Sequence, residues 1–187
     1  MNSVVNGEYV VRAIQADEWP EVKELRLRAL QDAVAHLAFL ETYEDAAARP
    51  DAFWQERALG GAEDAASVRQ VVAVAPGGEW VGSVTVLMEE AGSTDWAGFP
   101  VERRQAHVVG VYVRPEHRGN GLLDALFAAG LAWAWERGAE RARLLVHEDN
   151  GRARAAYQKV GFEPSGVIVQ LESDTEKREL ELVIARG

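Results

Sequence analysis

The sequence predicts a mixed α/β fold formed by one domain spanning residues 1–187. Segments typical of strands and helices alternate in the middle of the chain, and segments typical of β-hairpins lie on both sides of them. The hydrophobic share of 48% fits a globular protein, and a chain of this length can bury a real core. These observations favour one sheet covered by helices.

The first half of the chain predicts a strand, several helical segments and a hairpin. Residues 9–14 are typical of a short strand, and Asp17 is placed to cap a helix with apolar residues on one face. The stretch 34–59 is helical but irregular, with a break at Pro50. The pattern "QVVAVA-PGGE-WVGSVTVLM" at 70–88 then predicts a hairpin.

The second half alternates strands and helices before it ends in another hairpin. Residues 106–113 are apolar on both faces, as in a central strand. A helix follows over 121–137, then a strand over 142–148 and a short helix capped by Asn150. The last hairpin joins "GVIVQL" to "ELELVIA". Between the halves, residues 89–104 form a long polar loop of a length that is usually functional or mobile.

The composition excludes several classes of function. The net charge of −10 argues against general nucleic-acid binding, which needs a basic surface. The chain contains no cysteine, and therefore no disulfide, thiol nucleophile or thiolate metal ligand. No secretory leader or apolar run long enough to cross a bilayer is visible, so we expect no membrane contact and a cytoplasmic location.

Two glycines mark the junction between the central strand and its helix. In "VRPEHRGNGLLDALF", Gly119 and Gly121 stand where the helix begins. The first N–H groups of a helix have no internal partner, and glycines let the backbone approach a phosphate, so this junction predicts an anion site. A plain tight turn is the alternative. A nucleotide-binding P-loop is excluded because Leu122 and Leu123 follow the last glycine.

This stretch resembles the acyl-coenzyme A binding motif of the GNAT superfamily of N-acetyltransferases. Arg118, Gly121 and the backbone of Gly119 and Asn120 match the motif, while Leu123 occupies a position that is usually small. The segment "LLVHEDNGRARAAYQKVGF" resembles the downstream motif of the same superfamily, and the likeness extends over nearly the whole chain. The resemblance implies a mostly antiparallel central sheet flanked by helices, with the strands 106–113 and 142–147 splaying apart to form a cofactor cleft.

The resemblance also implies acetyl-CoA as cosubstrate and a set of residues that would hold it. Main-chain groups of the central strand would bind the pantetheine arm, and the glycine turn would cradle the diphosphate. Asn150 would contact the pantetheine, or would only cap its helix. Arg152 and Arg154 would be placed near the adenosine phosphate. The complete predicted set is Val111, Tyr112, Val113, Arg118, Gly119, Asn120, Gly121, Leu122, Leu123 and Asn150.

Transfer of an acetyl group to a neutral amine needs a base, donors for the oxyanion and an acid for the leaving sulfur. Tyr157 matches the general acid of the superfamily, with core packing as the alternative. His107 is the predicted base, with a structural role in its strand as the alternative, and Glu41, Glu44 and Glu90 are weaker candidates. A main-chain N–H near Val111 would face the oxyanion. We interpret His117 and His147 as surface or strand-end residues, and no cluster has the spacing of metal ligands.

The acceptor is the least defined part of the prediction. Tyr43, Trp54, Trp96 and Phe99 are candidate walls of its pocket, although each is individually typical of packing. A small-molecule amine or a peptide amine would fit this chemistry. A module that binds acyl-CoA without turnover is the alternative function. The oligomeric state stays open, and exposed edges in the final hairpin are consistent with a homodimer.

Overall fold

One open sheet of eight strands runs through the molecule in the spatial order β1–β2–β3–β4–β5–β6–β8–β7. The computed structural model describes residues 2–95, 98–171 and 174–187. The strands are β1 (Ser3–Val5), β2 (Tyr9–Ala13), β3 (Val68–Val74), β4 (Trp80–Glu89), β5 (Gln105–Val113), β6 (Arg141–His147), β7 (Glu163–Leu171) and β8 (Asp174–Ala185). The helices are α1 (Trp19–Leu30), α2 (Ala35–Ala38), α3 (Tyr43–Ala47), α4 (Asp51–Gly61), α5 (Leu122–Glu136) and α6 (Gly151–Val160).

The strand pairing confirms the predicted mixed sheet. Every neighbouring pair is antiparallel except β5 and β6, which run parallel. The irregular stretch after α1 forms three short helices, α2 to α4, and α4 begins directly after Pro50 as predicted. Both predicted hairpins are present, as β3–β4 and β7–β8.

Two local predictions at the N-terminus need correction. Strand β1 was not predicted, yet Asn6 and Gly7 have φ angles of 53° and 71°. Two consecutive positive φ values are typical of a type I′ hairpin turn, and the Asn-Gly pair was the available signal. Asp17 does not cap α1, because Glu18 is the N-cap residue and its side chain makes no capping bond. The Glu18 carboxylate instead pairs with Arg12, at 2.6 Å between Oε1 and Nη2.

Helix α5 covers one face of the sheet. Its apolar residues Leu126 and Phe127 are fully buried against Val84 and Val86 of β4, as the spacing of apolar residues in both elements requires. A Cβ at Gly130 would lie 2.9 Å from Cγ2 of Val86, so this glycine allows the helix to approach the strand closely. This packing fixes the start of α5 relative to β5.

Helices α1, α3 and α4 cover the opposite face. Trp54 of α4 and Ile14 are completely buried there together with Val22 and Leu25 of α1. The face of the sheet opposite α5 therefore carries a second core. The segment that joins α1 to α4 lies against the middle strands.

The parallel pair separates after only three residue pairs. The β5–β6 ladder runs from Gln105 opposite Arg141 to His107 opposite Arg143. Farther along, β5 contains a bulge against β4 that includes Gly110, with a φ of 61°. The predicted splayed pair is therefore confirmed, and the gap between the two strands is open along Val108–Val113. Within the described part of the chain, no helix has the length and apolarity to cross a bilayer.

Candidate active site

A cavity of about 510 Å³ opens where β5 and β6 separate. Its walls come from the end of β5, the turn that follows, the start of α5 and one side of α6. Nine of the ten predicted cofactor-binding residues line it, namely Val111, Tyr112, Val113, Arg118, Gly119, Gly121, Leu122, Leu123 and Asn150. Tyr157 lines the same cavity. Fold and sequence thus bring the predicted acid and the glycine turn into one space, which we call the first cavity.

The glycine turn has a conformation that few other residues would adopt. Gly119 and Gly121 have φ angles of 82° and 74°, in the left-handed region. No heavy atom lies within 4 Å of a Cβ built on Gly119, so the backbone is open on that side. Gly121 is the N-cap residue of α5 and offers no side-chain cap, which leaves the first amide groups of the helix without a side-chain partner.

Arg118 and Asn120 hold the turn in place. The Arg118 side chain folds back, donating from Nε to the Val113 carbonyl at 2.8 Å and from Nη2 to Asp32 Oδ2 at 3.0 Å. The Asn120 side chain donates to the His117 carbonyl at 3.0 Å. Both residues therefore shape the loop through their side chains, and Asn120 does not line the first cavity.

The surface interpretation of His117 is wrong. Its Nδ1 lies 3.1 Å from the Tyr9 hydroxyl, and the two rings pack edge to face. The imidazole is half-buried and lines the first cavity. It links the turn to strand β2, which comes 108 positions earlier in the chain.

Helix α6 positions Tyr157. Asn150 caps this helix, since its Oδ1 accepts the Ala153 N–H at 3.2 Å, so the capping interpretation of Asn150 is confirmed. The Tyr157 ring packs edge to face on Phe127, with 5.7 Å between centroids. Burial, and then the nearby Glu179 carboxylate, raise the pKa of the Tyr157 hydroxyl, which favours its protonated form.

The two arginines of α6 differ in their surroundings. Arg152 is exposed and lines the first cavity. Arg154 donates from Nη1 to the Glu148 carbonyl at 3.1 Å, across the turn that precedes the helix. Arg154 is therefore engaged locally.

A second cavity of about 440 Å³ adjoins the first, and Ala38 and Phe39 line both. His107 lines this second cavity with only 1% of its surface exposed. The structure therefore places the predicted base and the predicted acid in two neighbouring cavities rather than in one. The segment around α2 forms the boundary between them.

His107 belongs to a buried group of charged side chains on β4, β5 and β6. Its Nδ1 lies 3.6 Å from Oε2 of Glu89. Glu89 also accepts hydrogen bonds from Gln105 at 2.8 Å and from Arg143 at 3.2 Å. Burial alone would raise the pKa of Glu89, but the interactions with His107 and Gln105 and the charge of Arg143 outweigh it and lower that pKa. His107 thus faces a carboxylate that stays ionised.

The weaker base candidates lie in unsuitable environments. Glu41 lines the second cavity, but it accepts from Arg26 at 3.2 Å and from Arg49 at 2.8 Å. Burial raises the pKa of Glu41, but the two arginines lower it by more. The lowered pKa makes this carboxylate a weak base. Glu44 is exposed in the first turn of α3, and exposed Glu90 pairs with Arg104. Neither lines a cavity described above.

The aromatic residues expected around an acceptor behave mostly as packing residues. Trp54 is completely buried in the core beneath α1, and Tyr43 packs against the same core. Phe99 is 44% exposed on the loop after β4. Trp96 lies outside the described residues. The aromatic ring that does line both cavities is Phe39, which the sequence did not single out.

Three polar residues of the second cavity were missed or misjudged. Arg57 of α4 and Glu179 of β8 line it but were not predicted, and His147, which is a strand-end residue as predicted, is only 5% exposed. The sequence contained one indication of Glu179, because this residue alternates with Leu180 and Leu182 in a pattern that directs acidic side chains to one face of the last strand.

Among residues 2–95, 98–171 and 174–187, no three His, Asp or Glu side chains are grouped so as to hold a metal ion.

Comparison with known proteins agrees with this architecture. The ribosomal L7/L12 α-N-protein acetyltransferase RimL, crystallised with coenzyme A, has a TM-score of 0.71 at 13% identity and covers 99% of this chain, with 98% of its own length matched. The GNAT domain of PAT from S. lividans has a TM-score of 0.70 at 21% identity, with 98% and 96% covered. Both comparisons show that this chain shares the fold of these proteins.

Sequence comparison identifies the family. Residues 19–162 match the model of the acetyltransferase (GNAT) family, so the chain belongs to that family. Mycothiol acetyltransferase from Saccharomonospora viridis is 39% identical over 93 residues. That match covers 50% of this chain and only 29% of the relative. This chain therefore matches less than a third of that relative.

Proposed function

We propose that this chain transfers the acetyl group of acetyl-CoA to a primary amine. The observation that carries the proposal is the common location of the glycine turn, the free edge of β5 and Tyr157 around the first cavity. Family membership supports the reaction class. The second cavity, which contains His107, supplies a separate entrance for the acceptor.

The residues present suit acetyl-CoA. The uncapped start of α5 offers backbone N–H groups and the positive end of the helix dipole to a diphosphate. The turn at Gly119 has open space where a side chain would stand. Along Val111–Val113, the side of β5 that faces β6 has no strand partner, so its main-chain groups are available to an extended arm. Acetyl-CoA supplies the activated acetyl thioester.

The reaction needs one proton removed and one proton supplied. The neutral amine nitrogen attacks the thioester carbonyl carbon, the C–N bond forms and the C–S bond breaks. The amine loses a proton to a base, and the departing sulfur receives a proton from the Tyr157 hydroxyl. The raised pKa of Tyr157 keeps that proton available over the working pH range. A main-chain N–H near Val111 stabilises the oxyanion.

His107 is the proposed base, since it lies in the second cavity on the acceptor side of Phe39. Because His107 and Tyr157 line different cavities, the amine would reach the thioester at the boundary near α2. The ionised Glu89 beside the imidazole stabilises the positive charge that His107 gains on taking the proton.

Release of free thiol from acetyl-CoA in the presence of a panel of primary amines tests the proposal. Tyr157→Phe should lower amine-dependent kcat by about 100-fold, the usual contribution of a general acid, with coenzyme A binding retained. Tyr43→Phe is the matched control, because Tyr43 packs beneath α1 away from both cavities. Coenzyme A binding without amine-dependent release would contradict transfer and favour a module that only binds acyl-CoA.

A further inference from the structure

Charged side chains of both signs line the second cavity, including Glu41 on the helical side and Lys177 on the sheet side. Arg26 of α1 and Arg57 of α4 line it from the helical side. Glu179 lines it from the sheet, where it lies opposite His147 in the β6–β8 register. This arrangement is distinct from the first cavity, which contains the glycine turn and Tyr157.

The arginine wall contains one cation that is in no ion pair with the described residues. Arg26 is paired with Glu41 at 3.2 Å, and its guanidinium stacks 4.5 Å from the centroid of Phe39. Glu41 is shared with Arg49. Among the described residues, Arg57 forms no ion pair or hydrogen bond, and its guanidinium lies 5.8 Å from the ring centroid of buried Trp54. Burial and the charge of Arg26 lower the pKa of Arg57 to about 10, still high enough to keep it charged at neutral pH.

The sheet wall carries the carboxylate of Glu179 as well as Lys177 of the same strand. Nδ1 of His147 accepts the Asp149 N–H at 3.1 Å, so the neutral imidazole carries its proton on Nε2. That Nε2 is buried and has no hydrogen-bond partner among the described residues. Glu179 stands beside it, and burial raises the pKa of this carboxyl in spite of His147 and Lys177. An ammonium or amine group close to Glu179 would relieve the cost of burying the carboxylate.

We propose that the acceptor is a primary amine that also carries a carboxylate, with the carboxylate on Arg57 and the amine on the side of Glu179. A planar guanidinium binds a carboxylate through two parallel hydrogen bonds, which fixes the direction in which the acceptor enters. The shared wall at Phe39 then directs the amine end toward the first cavity. This inference rests on the proposed function and adds the class of acceptor to it.

The test compares acceptors that differ only in charge. Initial rates of thiol release from acetyl-CoA are measured for ω-amino acids of two to six carbons and for the corresponding ω-amino carboxamides. A charge-assisted hydrogen bond to Arg57 should give the best carboxylate a KM about ten- to a hundred-fold below that of its carboxamide. This comparison uses the wild-type chain and does not depend on any variant folding.

Variants then assign the preference to Arg57. Arg57→Gln should raise KM for the carboxylate about ten- to a hundred-fold and so remove the difference between carboxylate and carboxamide. Arg49→Gln removes a neighbouring positive charge that does not line the cavity, and it should retain the preference. Melting temperature and coenzyme A affinity verify that each variant is folded.

The outcomes separate the two proposals. Thiol release with equal KM values for the two series overturns the carboxylate inference and leaves acetyl transfer intact. A preference that persists in Arg57→Gln overturns the role of Arg57. Coenzyme A binding with no release for any amine overturns the proposed function, and the carboxylate inference with it.

Discussion

Replacing Arg143 by Met tests whether the buried charged side chains around this residue, on β4, β5, β6 and β8, stabilise the fold. Arg143 is 4% exposed, and its guanidinium contacts the carboxylates of Glu89, Asp95 and Glu181. The Nη1–Oε2 distance to Glu181 is 2.8 Å, and the Nε–Oε1 distance to Glu89 is 3.2 Å. Met fills a similar space but leaves the three carboxylates without this cation.

The expected loss is large for one substitution. Removing one partner of a buried ion pair costs about 3–5 kcal/mol, because the remaining charge stays buried without compensation. In a chain of 187 residues this corresponds to a fall in Tm of roughly 10–15 °C. Urea unfolding at pH 7, followed by tryptophan fluorescence, measures the change in free energy of unfolding.

The loss should also depend on pH. In the native protein the pKa of Glu89 is lowered, so its contribution to stability is present above the ordinary carboxyl pKa of about 4.3 and is lost as the pH falls. Without Arg143 the buried carboxyls would have raised pKa values, so the variant is least stable at neutral pH and recovers on acidification. The difference between the two proteins therefore shrinks from pH 7 towards pH 4.5.

Arg141→Met is the matched control. Arg141 lies on the same face of β6, and its Nε donates to Oε1 of Gln105 at 2.8 Å. A single hydrogen bond of this kind contributes about 1 kcal/mol. If Arg143→Met cost no more than Arg141→Met, or cost the same at both pH values, the group would not stabilise the fold electrostatically.

Three further features are each probed by one substitution, the first with a matched control. Gly121→Ala places a side chain at a φ of 74°, so it should lower the free energy of unfolding by about 1 kcal/mol and weaken coenzyme A binding. Gly78→Ala, at a φ of 90° in the β3–β4 turn, is the control. It should lower the free energy of unfolding by a similar amount without affecting coenzyme A binding. Asn150→Ala removes the bond to Ala153 and should lower stability by about 1 kcal/mol in thermal unfolding. Glu179→Gln should raise the free energy of unfolding at pH 7, because the raised pKa of Glu179 makes its ionised form unfavourable. This gain should vanish below pH about 4.3, where the carboxyl is protonated in the folded and the unfolded chain. A gain that stays constant with pH would contradict this explanation.

Two parts of the first cavity, the glycine turn and the side of α6, were predictable because each lies within one short stretch of sequence. Arg118 to Leu123 form one turn, and Asn150 and Tyr157 belong to one short helix. In each case a local pattern determines the local structure, and the order of elements brings the two segments together across the splayed strands. The sequence could not reveal that His117 packs on Tyr9, because that contact joins residues 108 positions apart.

The second cavity was not predictable in the same way. Arg57, His147 and Glu179 come from α4, β6 and β8, and no short motif connects them. Each one has an ordinary local context, a helix surface or a strand position. Their common location follows from the sheet order, in which β8 inserts beside β6, and from the position of the segment after α1. The proposed acceptor site therefore depends on tertiary structure, whereas the glycine turn depends on local sequence.

The buried charged group lies at the point where the parallel strands separate. His107 and Arg143 form the last residue pair of the β5–β6 ladder, and both contact Glu89 of the neighbouring strand β4. Beyond this pair, the main-chain groups of β5 that face β6 need water or a ligand as partner. A group that holds β4, β5, β6 and β8 together at that position fixes where the free edge begins. The ion pairs of Arg143 would therefore also keep the first cavity open along Val111–Val113. They would hold His107 in place in the adjoining second cavity.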